Sequence, residues 1–245
     1  MKLRLDKLLV DRGLAASRER AQALILAGKV LVNDQKLDKA GSQVEAQVAV
    51  RLLGADLKYV SRGGLKLERA LEHWQIDVGG KICLDVGAST GGFTDCLLQR
   101  GAAKVYAIDV GTNQLAWRLR TDPRVISMEK TNIRDITRKE VPEPIELIVC
   151  DASFIGLRTA LPAALTLAAP SAHLVALIKP QFEVGKGRVG KGGIVREPEL
   201  HQEVCATISE WLAAQPGWRV LGVTDSPIEG AEGNKEFLIA GIFNA

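Results

Sequence analysis

The stretch KICLDVGASTGGFT, residues 81–94, decides how most of this chain folds. Ile82, Cys83, Leu84 and Val86 make a short, nearly continuous apolar run of the kind that a buried strand requires, and the run ends in a turn whose glycines are spaced G-x-x-x-G-G. Downstream, short apolar strands keep alternating with helical stretches. Further strands are expected at Val105 to Asp109, Val125 to Met128, Leu147 to Cys150, Leu174 to Ile178, Val220 to Thr224 and Phe237 to Ile242. With the first, these give seven strands, and the alternation predicts an α/β domain with a mostly parallel sheet covered by helices on both faces.

Ligands of such sheets sit at the carboxyl ends of the strands, so the turn itself is the first place to look for one. A dinucleotide fold would space its glycines G-x-G-x-x-G, and a P-loop would add Gly-Lys-Ser; the turn at Gly87, Ala88, Ser89, Thr90, Gly91, Gly92, Phe93 and Thr94 has neither pattern, which favours a ligand without phosphate. Asp85 at its start suits a ligand bearing an ammonium group. Asp109, 24 positions further on at the end of the second strand, suits ribose hydroxyls. The turn resembles motif I of the class I methyltransferases, which implies S-adenosylmethionine as the cofactor, with Asn132 and Ile133 as additional contacts to its adenine.

Toward the amino terminus the pattern changes. Leu5, Leu8 and Leu9, then Ala21, Leu24 and Ile25, recur at helical spacing on either side of Gly13, with Ser17 placed as the cap of the second helix. Val30 to Val32 reads as a strand, Asn33-Asp34 as a turn, and Gln47 to Arg51 as another strand. Residues 1–60 hold 11 Lys and Arg against 7 Asp and Glu, whereas the remainder holds 21 against 22, so the positive surplus lies wholly in the first quarter, as a polyanion-binding surface requires. The order of Arg4-Leu5-Asp6, Ser17-Arg18 and the Val30-to-Asn33 hairpin resembles the S4 RNA-binding domain over residues 2 to 52. That resemblance implies RNA contacts at Arg4, Lys7, Arg12, Ser17, Arg18, Arg20 and Lys29. The expected domains are therefore an S4 domain at 1–52, a linker at 53–60 and a class I, Rossmann-like catalytic domain at 61–245.

Four charged residues stand at or near element boundaries: Lys66, Asp151 after the fourth strand, Lys179 after the fifth and Glu236 before the last. A ribose hydroxyl loses its proton at neutral pH only to a positioned base, and an amine among carboxylates is a candidate. Together with the phrases SRGGLKL (61–67), CDASF (150–154), IKPQFE (178–183) and GNKEF (233–237), the four resemble the Lys-Asp-Lys-Glu tetrad of the FtsJ/RrmJ-like ribose 2′-O-methyltransferases. With the S4 domain in front, residues 2 to 243 resemble the hemolysin A-like rRNA methyltransferase family, TlyA. The resemblance implies Lys179 as base, Asp151 and Lys66 as its positioning partners, Glu236 as support, and Ser61, Gly63, Gly64 and Asp151 as part of the cofactor site. It also implies methylation of a cytidine 2′-hydroxyl in ribosomal RNA, with ribosomal subunits as partners.

Other readings stay open. Base methylation is one, although Asp151-Ala-Ser-Phe154 lacks the prolines of the Asn/Asp-Pro-Pro-Tyr pattern. A non-catalytic RNA-binding protein is another. The membrane-lytic role implied by the family name lacks a spanning segment or a cationic amphipathic helix. Cys83, Cys96, Cys150 and Cys205 are too scattered for a zinc site or a disulfide framework, so no metal is expected. The charged start without a signal peptide leads to the expectation of a cytoplasmic protein, a monomer or weak homo-oligomer. The glycine-rich stretch 180–193 reads as a lid or a surface loop, and Phe154 as a core aromatic in preference to a base-stacking one.

Overall fold

The computed structural model describes residues 2–15, 17–53, 58–185, 187–230 and 233–244, and it divides the chain into two compact units, Met1–Leu57 and Lys58–Ala245. Of the expected linker, residues 54–57 lie outside the described residues.

In the first unit, β1 (Lys2–Arg4) leads into α1 (Leu5–Asp11) and α2 (Arg18–Leu26), followed by β2 (Val30–Val32), β3 (Gln35–Lys36), β4 (Gln43–Glu45) and β5 (Val50–Leu52). Ser17 caps α2 by accepting a hydrogen bond from the Arg20 amide (3.2 Å). Asn33 and Asp34 both have positive φ (49° and 60°), the backbone that a two-residue hairpin turn between β2 and β3 demands. Leu5, Leu8, Leu9, Ala21, Leu24 and Ile25 form the small core with Val30 and Val32. The pairing of β1 with β4 carried no periodic signal, because these strands are mostly exposed and polar.

The second unit opens with α3 (Gly63–His73) and continues through β6 (Ile82–Val86), α4 (Gly92–Gln99), β7 (Lys104–Ile108), α5 (Trp117–Arg120), β8 (Val125–Met128) and β9 (Ile145–Cys150). Then come α6 (Leu157–Ala160), α7 (Pro162–Leu165), β10 (Ala168–Ile178), α8 (Pro180–Glu183), α9 (Pro198–Ala213), β11 (Trp218–Asp225) and β12 (Phe237–Phe243). The sheet order is β11-β12-β10-β9-β6-β7-β8, with only β12 and its pairings antiparallel. Alternate residues of each central strand enter two separate cores. Leu84, Val86, Ile148 and Cys150 pack beneath α6, α7 and α9, while Cys83, Leu147 and Val149 pack beneath α3 and α4. That division is why β6 and β9 read as unbroken apolar runs. β10 begins six residues earlier than expected, running through Pro170 and the positive-φ residue Ser171 (62°) at a register shift against β9.

Lys58, Tyr59 and Val60, read from the sequence as linker, are packed into this unit. Tyr59 is buried and its hydroxyl donates to Glu68 (2.9 Å), while the Val60 amide donates to Asp95 (2.8 Å). Gly64 makes room for them, since a Cβ there would overlap the Tyr59 ring.

Candidate active site

The glycine turn after β6 is tight because only glycine can form it. Gly87 has φ +81°, and a Cβ on it would stand 2.9 Å from the Cα of Ala152, so β6 and β9 could not end side by side. Gly91 (φ +95°) precedes α4 and faces Leu119, which a Cβ would overlap. Asp109 braces the turn from the next strand: its carboxylate accepts from the amides of Ser89 (2.8 Å) and Gly111 (2.7 Å).

Asp85 does not face the cleft. It is fully buried under the turn, where Thr94, itself buried, donates to Oδ2 (2.7 Å) and Oδ1 has no hydrogen-bond partner. Burial pushes its carboxyl up to about 7, the Thr94 hydroxyl opposing and the negative charges of Asp151 and Asp109 adding to the rise. Its side chain, expected from the sequence to suit a ligand's ammonium, is buried and is not among the residues that line the cleft. A carboxyl raised in the folded state keeps its proton while the unfolded chain loses one, so its contribution to stability is greatest below the unfolded value, near 4, and is lost as pH rises toward 7. We expect Asp85→Asn to flatten the pH dependence of the melting temperature across that window; an unchanged profile by calorimetry would contradict this account.

Above the turn lies a cleft of about 720 Å³, within the roughly 300–1,000 Å³ of small-molecule sites. Ser61, Gly63 and Lys66 line one wall, Gly87 to Thr90 with Gly92 and Phe93 the floor, and Asp151, Ser153, Phe154 and Lys179 the opposite wall. Glu236 closes it from the start of β12. Sheet register explains the meeting: Val86 pairs with Cys150, Cys150 with Ala176, and Ile178 with Phe237, so the residues just beyond these pairs share one edge. The Lys66 amine donates to Glu236 at 2.5 Å, both side chains buried. Lys179, equally buried, places its amine 2.7 Å from Asp151 Oδ1 and donates to Ser153 Oγ (2.9 Å) and the Asp151 carbonyl (3.3 Å). The Oδ1 contact is an ion pair outside hydrogen-bond geometry.

Asn132 and Ile133 take no part in lining the cleft. Asn132 caps a short 3-10 turn by accepting from Arg134, and Ile133 is a core residue. Gly64, Gly91, Thr94 and Asp109 shape the cleft from behind. Phe154 is not a core aromatic: it is 91% exposed, at φ +66°, with its ring 5.4 Å from that of Phe182. Sequence reasoning passed over Ser153, Gln181 and Phe182, which also line the cleft; for Ser153 and Gln181 the available signal was proximity to Asp151 and Lys179 in the chain. Asn234 was missed as well, and it ties the glycine-rich stretch in place through Gly193 O (3.1 Å) and the Val195 amide (3.2 Å). Lys186 of that stretch lies outside the described residues.

In the first unit, Arg4 and Arg18 are half exposed and share one carboxylate, Asp6. Lys7 is exposed, whereas Arg20 and Lys29 are partly covered. Arg12 is exposed, and its guanidinium donates to the carbonyls of Val48 (2.7 Å) and Ala46 (2.7 Å) and holds the loop before β5. Among the described residues no group of side chains could hold a metal, and no helix is long and apolar enough to cross a membrane.

A doubly wound sheet whose carboxyl edge joins a glycine turn to two lysine–carboxylate pairs defines a methyltransferase-type catalytic domain, and the pattern of the FtsJ-like methyltransferases matches residues 59–243, with the S4 domain matching 3–50: the chain belongs to the FtsJ-like methyltransferase family. Its relatives are particular. The 16S/23S rRNA (cytidine-2′-O)-methyltransferase TlyA of Mycobacterium tuberculosis is 47% identical over 96% of this chain and 88% of its own. YqxC of Bacillus subtilis, provisionally named an rRNA methyltransferase, is 49% identical over 97% of this chain and 85% of its own. A solved structure from Streptococcus thermophilus, provisionally named a hemolysin, is 43% identical, covers 99% of this chain and 89% of its own, and superposes with a TM-score of 0.76.

Proposed function

We propose that this protein transfers a methyl group from S-adenosylmethionine to the 2′-hydroxyl of a cytidine in ribosomal RNA, its first unit, an S4 domain at 1–52, holding structured RNA and its second unit performing the chemistry. The observation that carries this reading is the convergence of Lys66, Asp151, Lys179 and Glu236 on one cleft floored by a glycine turn. The turn fits the cofactor: at Gly87 the space beside the backbone would be closed by any Cβ, and Asp109 lies one strand away with its carboxylate held by two amides. Ser61, Gly63, Gly87, Ala88, Ser89, Thr90, Gly92 and Phe93 would hold it, and when bound it supplies an electrophilic methyl on a cationic sulfur.

The chain's own residues do the rest. Lys179, having given up its proton, takes the proton from the 2′-hydroxyl. Asp151 and Ser153 fix the amine in place, and their oxygens stabilise the ammonium that forms. Lys66, held by Glu236, adds positive charge where the alkoxide develops. Phe154, exposed beside Phe182 at the cleft wall, offers a face on which a base drawn out of its stack can rest.

Purified protein, ribosomal subunits and tritiated donor test the reading. Incorporation must occur, and alkaline hydrolysis must leave the adjoining phosphodiester intact, since only ribose methylation protects it; a cleaved bond at the labelled nucleotide would indicate base methylation. Phe154→Ala should raise the KM for RNA roughly tenfold, the size of one lost stacking contact, with donor affinity unchanged. Equal KM values would remove Phe154 from substrate binding.

A further inference from the structure

Asp6 is a fully buried carboxylate in the middle of a surface of cations, and every one of its bonds goes to the groups around it. Oδ2 accepts from Arg4 Nη2 (2.9 Å), Arg18 Nη2 (3.1 Å) and Gln22 Nε2 (3.0 Å); Oδ1 accepts from Arg4 Nε (3.1 Å) and the Lys7 amide (2.8 Å). The hydrogen bonds of Arg4 foremost, with those of Gln22 and Arg18, hold its carboxyl well below the usual carboxylate range against the cost of its burial, so it stays charged. What covers it is the pair of guanidiniums themselves, whose side chains remain 46% and 53% exposed. Arg4 is clamped along one edge, and its other face lies over Gly41, where a Cβ would meet Nη1 at 3.5 Å. Arg4 Nη1 and the Nη1 and Nε of Arg18 meet no acceptor among the described residues.

An unrestrained arginine loses rotamer freedom when it is fixed on a phosphate. Here Asp6 restrains both side chains in the free protein, Arg4 through two bonds and Arg18 through one, while both stay half exposed. Counting the three ionised groups, two cations and one anion, the cluster carries one net positive charge, the complement of one phosphodiester.

We propose that Asp6 is a positioning residue that sets Arg4 and Arg18 as a single preformed fork for one RNA backbone phosphate. Arg12, bound to backbone carbonyls, stands outside this fork. The inference rests on the RNA-binding reading of the first unit but makes a separate claim, because plain electrostatics predicts the opposite result: removing a negative charge from an RNA-facing surface should tighten binding.

The test measures binding of the full chain to purified ribosomal subunits across a salt titration. Asp6→Asn should weaken binding roughly tenfold, the size of one charge-assisted hydrogen bond, and lower the slope of log K against log salt by about one. Asp6→Asn combined with Arg4→Ala should bind no worse than Arg4→Ala alone. Arg4→Lys, which keeps the charge on an exposed side chain and loses the fork, should weaken binding to a similar extent and leave the slope unchanged; it decides the matter if Asp6→Asn does not fold. Wild-type affinity or tighter for a folded Asp6→Asn, or wild-type affinity for Arg4→Lys, overturns the fork while leaving the RNA reading intact. Absence of any salt-dependent binding by the wild-type protein overturns both.

Discussion

Lys179→Ala is expected to cut methyl transfer by roughly a thousandfold while donor affinity changes less than about threefold, because it removes the proposed base and leaves the glycine turn untouched. The amine stands at the end of β10 with Asp151 and Ser153 around it, and alanine leaves nothing there to receive the ribose proton. Lys179→Arg should fail as completely, since a guanidinium keeps its proton at any pH the protein tolerates and is too large for a site in which the lysine is buried. Tritium incorporation into ribosomal subunits, with donor binding followed by calorimetry, measures both quantities. Activity within tenfold of wild type in Lys179→Ala would remove this residue from the chemistry and with it the mechanism proposed here.

Glu236→Ala should be the most destabilising change in the cleft. It leaves the Lys66 ammonium buried without its partner, a loss of about 3–5 kcal/mol, which in a unit of this size lowers the melting temperature by about 10 °C. Replacing both partners, Lys66→Met with Glu236→Leu, should restore most of that stability because neither charge is then buried. Methyl transfer should remain absent in the double variant. Thermal unfolding and the incorporation assay together separate the structural demand of the pair from its chemical one; a double variant that is both stable and active would show the pair to be scaffolding.

The central sheet was legible because strands buried on both faces must be apolar throughout, and Leu147 to Cys150 or Leu174 to Ile178 admit few other readings. Asp151, Lys179 and Glu236 were legible as strand-end residues and Lys66 by resemblance alone, but their partners were not. That Lys66 meets Glu236, 170 positions away, needs both the antiparallel docking of β12 on β10 and the packing of α3 on the sheet, which no local pattern encodes. The burial of Asp85, near the end of β6, was not legible because a residue at the end of a strand can point under the following turn or out of it, and the sequence does not mark the face. Phe154 was misread as core since an aromatic a few residues beyond a buried strand usually packs inward; its left-handed backbone turns it outward instead. Arg12 shows the converse, a basic residue whose donors go to backbone carbonyls that only folding brings near.

The placement of β12 has a consequence for biosynthesis. It is the latest strand in the chain, yet it lies between β10 and β11, so a nascent polypeptide made as far as Glu236 exposes an unpaired edge on β10 and leaves β11 with no neighbour. Such a chain already contains all four cleft residues but lacks the strand that brings the last of them to the other three. Glu236 therefore joins the other three only once residues 237–243 have docked between β10 and β11, so the same strand completes both the sheet and the cleft.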